Sequence, residues 1–227
     1  MPSSLVIAID GPSGSGKSSV SRAVATQLGL DYLDTGSMYR AFTWYLQDQG
    51  IDISDPELIT TATSLAAAEI EEIVAPSTDP SEPGIRVAGQ DVSKAIRGAQ
   101  VTQGVSAVSA VPAVRELMVT LQRKIAANSK SGIVVEGRDI CAVVLPEAPV
   151  RIFITADPQA RAARRALENG DDVSATINEL AKRDLADSTR EVSPLEVASG
   201  ARVIDTTYLE LSEVISQVMD LARSARG

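Results

Sequence analysis

The stretch IDGPSGSGKSSV, residues 9–20, decides the fold. Within it, Gly11 to Ser18 reads G-P-S-G-S-G-K-S, the G-x-x-x-x-G-K-[ST] pattern of a Walker A loop. Glycines let such a backbone wrap around phosphates and aim successive N–H groups at them. Gly11, Pro12, Ser13, Gly14, Ser15, Gly16, Lys17, Ser18 and Ser19 are therefore expected around the phosphates of a nucleotide, with Lys17 on the outer phosphates and Ser18 as the ligand of an accompanying Mg²⁺. The flanks agree: Leu5 to Ile9 is a short apolar run rich in β-branched residues, and Ser18 to Leu28 reads as a helix with Gly29 as its stop. Strand, loop and helix thus follow in the required order, and the helix N-terminus adds a positive dipole end that favours an anion.

Outward from the loop, composition bounds the chemistry. At 227 residues and 44% hydrophobic content, the chain can bury a substantial core. Its net charge of -9 opposes long-range attraction to nucleic acid or an anionic membrane, so any phosphate site must be a local concentration of arginines. The single cysteine, Cys141, stands beside the apolar run Ala142 to Leu145 and reads as a small buried side chain. With one cysteine, no basic apolar leader in the first ten residues and no apolar run near the roughly 18 residues of a membrane span, a cytoplasmic protein without membrane or nucleic-acid partners is expected. A monomer is expected as well.

There is no histidine, which removes Ser-His and Cys-His pairs, His-ligated zinc and a histidine general base. Transfer of a phosphoryl group to an alcohol usually wants such a base; transfer to a phosphate does not, because a phosphate monoester with a second pKa near about 6 is already largely anionic at neutral pH. The difficulty is then repulsion between polyanions, which arginines and Mg²⁺ relieve.

Further along, Tyr32 to Asp34 reads as a strand end, residues 35–50 as a helix, and 55–73 as another with Asp55 as N-cap and Pro56 in its first turn. Residues 75–84 are rich in breakers and predict a loop; 85–89 predict a short strand. A helix over 112–128, strands at 133–135 and 150–154, a helix from Pro158 to about Glu168 ended by Gly170, another from Ser174, a strand at 202–205 and a helix over 211–222 complete the reading. Alternating strands and helices predict a parallel sheet covered on both faces, an α/β fold of the P-loop NTPase type, with ligands at the carboxyl ends of the strands. There the Walker loop, Asp34-Thr35, Glu136-Gly-Arg-Asp139 and the arginines after Asp157 fall near one another.

With these pieces in place, the sequence resembles the bacterial cytidylate kinases over nearly its entire length. The resemblance rests on IDGPSGSGKS from Ile9, LDTGSMYR from Leu33 to Arg40, GQDVSKAIR from Gly89 to Arg97, and EGRDI from Glu136. It implies ATP-dependent phosphorylation of CMP and dCMP by a single domain. Its core would be 1–55, 112–156 and 200–227, with a monophosphate-binding insertion at about 56–111 and a helical lid at about 157–192. It also implies site residues. Thr35, Tyr39 and Arg40 belong to the monophosphate site, with Arg40 gripping the acceptor phosphate. Ser106, Arg115, Arg138 and Asp139 read the nucleotide, Asp139 accepting from the cytosine amine. In the lid, Arg161, Arg164, Arg165, Arg183 and Arg190 carry charge to the transferring group, and Asp187 orients Arg183 and accepts from the ribose. Read without the resemblance, Arg183, Asp187 and Arg190 are one face of a helix with a surface ion pair.

EGRD stands where adenylate kinases carry D-G-x-P-R, and no N-K-x-D guanine signature is present. Another P-loop kinase of uridylate or shikimate type, or a nucleotide-dependent regulatory module, are the alternatives.

Overall fold

The computed structural model describes residues 5–225; residues 1–4 and 226–227 of the expected core lie outside the described residues. By its contacts the chain divides into two units, Met1–Tyr32 with Ser129–Gly227, and Leu33–Asn128.

The first unit is built on β1 (Val6–Asp10), which pairs in parallel with β6 (Ile133–Gly137) from Val6↔Ile133 to Asp10↔Gly137. On its other side β1 pairs in parallel with β7 (Val150–Thr155), which pairs in turn with β8 (Arg202–Asp205). With β2 (Asp31–Asp34) beside β6, the order is β2-β6-β1-β7-β8. The chain runs from β1 to one side and later resumes on the other, so the carboxyl ends of β1 and β7 open a crevice where such sheets bind ligands.

Alternation along the strands sorts the side chains. Ile7, Ile9, Val134, Ile152, Ile154 and Ile204 pack with Val20 and Val24 of α1 (Lys17–Leu28) and with Val214, Val218 and Met219 of α9 (Leu211–Ser224). Each fully buried aliphatic side chain contributes roughly 1.5–3 kcal/mol, so this layer anchors the sheet. Against the opposite side of β1 lies a π-helical turn, Ile140–Val144, that the sequence did not announce. The Asp10 carboxylate accepts from the Ile140 and Cys141 amides at 2.8 and 2.7 Å, and Cys141 Sγ lies 3.4 Å from the Ala8 carbonyl oxygen. Cys141 is thus buried, as its apolar neighbours suggest. Two further helices, α7 (Pro158–Asn169) and α8 (Val173–Thr189), are capped by Asp157 and Asp172, whose side chains accept from Gln159 and Ala175 amides. Gly170 ends α7 at φ 76, as expected.

The second unit holds α2 (Thr35–Asp48), capped by Asp34, and α3 (Pro56–Ala66), capped by Asp55 with Pro56 in the first turn. The helix expected over 55–73 is interrupted by a 3₁₀ turn at Ala67–Glu69 before a short α4 (Ile70–Ile73). The loop expected over 75–84 starts later than the breakers suggest: β3 (Val74–Pro76) pairs antiparallel with β4 (Ile85–Val87), which pairs with β5 (Gln90–Asp91). Pro76 fits there because it ends an outer strand. Two helices follow, α5 (Ala99–Ala110), absent from the sequence reading, and α6 (Pro112–Asn128), at the predicted bounds. Because α2 and α6 pack with this unit, it is wider than an insertion over 56–111. No single helix among the described residues is long and apolar enough to cross a membrane.

Candidate active site

The phosphate loop occupies the end of β1, and its glycines are there for space and for backbone. A side chain at Gly11 would place its Cβ 2.0 Å from the Ile154 carbonyl oxygen, so only glycine lets the loop pass β7. Gly16 caps α1 at φ 86, a left-handed conformation that an L side chain resists. Lys17 is buried, and its Nζ donates to the Pro12 carbonyl at 3.1 Å, spanning the loop. The Ser15 hydroxyl is buried with no hydrogen-bond partner among the described residues, and a Cβ on Gly11 would lie 3.3 Å from it. A hydroxyl donor left open inside a loop of N–H groups suits an anion.

Behind this loop stand the arginines of α7. Arg161 is 6% exposed; its Nε donates to the Ala156 carbonyl at 3.1 Å and its Nη1 to the Ser13 carbonyl at 3.0 Å. The same Nη1 lies 2.6 Å from Asp184 of α8. Arg164 grips Thr206 beyond β8, through the hydroxyl at 2.9 Å and the carbonyl at 2.5 Å, and Thr206 Oγ1 donates to the Ser15 carbonyl at 3.1 Å. Arg165 pairs with Glu168 on its own helix at 3.1 Å.

A second cluster gathers on Asp187 of α8. Arg138 Nε, just past β6, donates to Asp187 Oδ2 at 2.9 Å, and Arg190 lies 3.6 Å from Oδ1 while its Nε donates to the Ser193 carbonyl. Arg183 is half-buried beside them. Burial first, and the nearby Arg138 second, push its guanidinium below the ordinary arginine range; Asp187 and Glu179 pull it back up, and Arg165 adds to the lowering. Cations crowded in this way are relieved by an arriving anion such as a phosphate. Asp139 is buried at the carboxyl end of β6, where its carbonyl accepts from the Val143 amide at 2.8 Å.

Within the second unit, Arg40 Nη1 donates to the Ile96 carbonyl at 3.0 Å and to Thr102 Oγ1 at 2.9 Å. Arg115 is buried with its guanidinium 5.4 Å from the centre of the Tyr39 ring, in cation–π range, and donates to the Ser109 carbonyl at 3.2 Å. Thr35 is buried in the first turn of α2, and Ser106 lies on α5, its carbonyl accepting from Ser109.

Residues 7–224 match the cytidylate kinase family. The chain belongs to that family. It is similar to the cytidylate kinase of Streptomyces griseus subsp. griseus, 53% identical over 99% of this chain and 95% of that one. The cytidylate kinases of Rhodococcus opacus (strain B4) and Mycobacterium leprae (strain Br4923) are 48% and 47% identical over 99% and 98% of this chain, and 97% of each of theirs. Among solved structures, an uncharacterized protein from Eubacterium ventriosum ATCC 27560 has a TM-score of 0.53 at 14% identity, covering 97% of this chain and 99% of that chain, a likeness of fold.

For a cytidylate kinase, the residues expected to act together are distributed in a way that corrects one expectation and extends another. Asp187 was expected to orient Arg183; its oxygens pair with Arg138 and Arg190, and its charge also acts on Arg183. Arg190 is not on the helix face with them: α8 ends at Thr189, and Arg190 is its C-cap. Sequence reasoning missed Asp10, Asp184, Thr102 and Thr206, whose partners are remote in the chain and leave no local pattern.

Proposed function

We infer that the protein catalyses ATP-dependent phosphoryl transfer to CMP and dCMP, giving CDP and dCDP plus ADP. The observation that carries this is the family match across residues 7–224, on a chain whose Gly11–Ser18 loop is formed at the end of the central strand. The acceptor phosphate arrives as an anion and needs no base, which fits a chain without histidine. Positioning and charge neutralisation are then the catalytic tasks.

Lys17 leaves Pro12 to meet the outer phosphates of ATP, while residues Gly11 to Ser19 surround them. Arg40 grips the acceptor phosphate, with Thr35, Tyr39, Ser106 and Arg115 as further acceptor-binding residues. Asp139 accepts from the cytosine amine, and Arg138, Asp187 and Arg190 act as one ion-paired group on the acceptor. Arg161, Arg165 and Arg183 supply further positive charge. Ser18 is exposed in the first turn of α1 and offers a hard oxygen, and no group of three or more His, Cys, Asp or Glu among the described residues is arranged to hold a metal ion. This donor set fits a Mg²⁺ that arrives on ATP and takes most of its ligands from phosphates and water. When bound, that ion supplies positive charge to the transferring group.

A coupled ADP-release assay over CMP, dCMP, UMP, AMP and GMP tests the reading. CMP and dCMP should lead by at least tenfold in kcat/KM; equal or better use of any other acceptor overturns it. A monomer in the cytoplasm is the setting we propose, and light scattering after gel filtration checks the mass against 23.8 kDa.

A further inference from the structure

We propose that Asp184 is a positioning residue that fixes α8 to the donor-phosphate loop through Arg161. This rests on the kinase reading above and adds a residue to it.

The Arg161 guanidinium is divided between two elements: Nη1 donates to the Ser13 carbonyl inside the loop at 3.0 Å and pairs with Asp184 Oδ2 at 2.6 Å. Its backbone packs closely against the same loop, since a Cβ on Gly14 would lie 2.8 Å from the Arg161 carbonyl oxygen and 3.2 Å from the Arg161 Cβ. Main chain and side chain of one residue thus brace the middle of the phosphate loop. Asp184 is the counter-charge that makes this conformation stable: with a side chain 7% exposed, Arg161 would otherwise carry a nearly dry charge against carbonyls alone. The other Asp184 oxygen, Oδ1, is buried with no partner among the described residues. A carboxylate that gives up hydration on one oxygen to hold an arginine with the other is costly for a surface ion pair and suits a fixed joint.

Position in α8 gives the joint its consequence. Asp184 directly follows Arg183 and stands one turn before Asp187, which holds Arg138 and Arg190. Shifting α8 would move these groups relative to the donor phosphates, and a misplacement of about 1 Å is enough to cost on the order of a hundredfold in rate.

Steady-state kinetics and equilibrium binding of Asp184→Ala, Asp184→Asn and Arg161→Met test the proposal. Asp184→Ala should raise KM for ATP at least fivefold and lower kcat at least tenfold. Asp184→Asn, which keeps an acceptor oxygen, should recover at least a third of the lost kcat. Adding Asp184→Ala to Arg161→Met should cost less than twofold further in kcat/KM for ATP. Unchanged ATP parameters in Asp184→Ala, or full additivity with Arg161→Met, overturn the proposal, as does a lowered melting temperature with the ATP parameters intact. If Asp184→Ala does not fold, the Asn variant and the Arg161→Met pair carry the same decision. Binding of ATP to the wild-type protein is read independently of any acceptor, so a failure of the CMP assignment leaves this test standing.

Discussion

Lys17 bridges its own loop to the Pro12 carbonyl at 3.1 Å, so its charge is held against the loop to which the proposed function assigns the donor phosphates. Lys17→Ala removes a contact that strengthens as charge moves in the transition state, and should lower kcat at least a thousandfold, about 4 kcal/mol, with the fold intact by circular dichroism. A loss below tenfold would remove the loop from the mechanism. This residue was legible because the motif is local. Asp10 was not: its partners Ile140 and Cys141 lie 130 and 131 residues away, and a lone aspartate at a strand end has no signature. Burial raises its pKa above the ordinary carboxylate value, against the two amides that favour its charge. A raised folded pKa means that stability is fully present below the unfolded value, about 3.9, and is lost as pH rises through the folded one. The stability difference between wild type and Asp10→Asn, by urea denaturation, should therefore shift toward the variant between pH 4 and pH 7. A shift toward the wild type would show that the amide bonds outweigh burial.

At the scale of elements, the sequence was clearest where a cap and a period coincide. Asp55-Pro56 and Asp157-Pro158 each give a capping carboxylate and a first-turn proline, and α3 and α7 start there. It was silent on α5, whose valines, serines, threonine and glycine are poor helix formers. Packing overrides propensity in that helix: Val101, Val105 and Val108 bury one face, and a Cβ on Gly104 would fall 2.3 Å from Ile53 Cδ1. The tie between β6 and α8 was equally hidden, because Arg138 and Asp187 meet across 49 residues. At 16% side-chain exposure Asp187 is not an ordinary surface partner, and it positions two arginines at once. Asp187→Ala should cost at least tenfold in kcat/KM for CMP, about 1.4 kcal/mol, and an equal factor for dCMP. A loss confined to CMP would assign the residue to the ribose 2′-hydroxyl instead. A change below twofold with both acceptors would reduce it to a surface pair.

The whole molecule carries a net charge of -9 yet is read as binding two polyanions, so affinity must come from short-range contacts and not from its overall field. That balance has a thermodynamic readout. A ligand that binds only the folded chain stabilises it by RT ln(1 + [L]/Kd), about 2.7 kcal/mol at a hundred times Kd. For a protein of 150–250 residues, each kcal/mol moves the melting temperature by roughly 2–4 °C, so saturating Mg·ATP should raise it by about 5–10 °C. CMP alone should give its own shift if Arg40 and Arg115 act on the acceptor as proposed. If the loop holds ATP by charge-assisted contacts to Lys17, Lys17→Ala should lose at least half of the ATP shift and keep the CMP shift within about 1 °C. Loss of both shifts would mean that the substitution perturbs the whole fold, and the rate loss of that variant would then say nothing about Lys17. Retention of the full ATP shift together with the rate loss would place the lysine in the transition state alone.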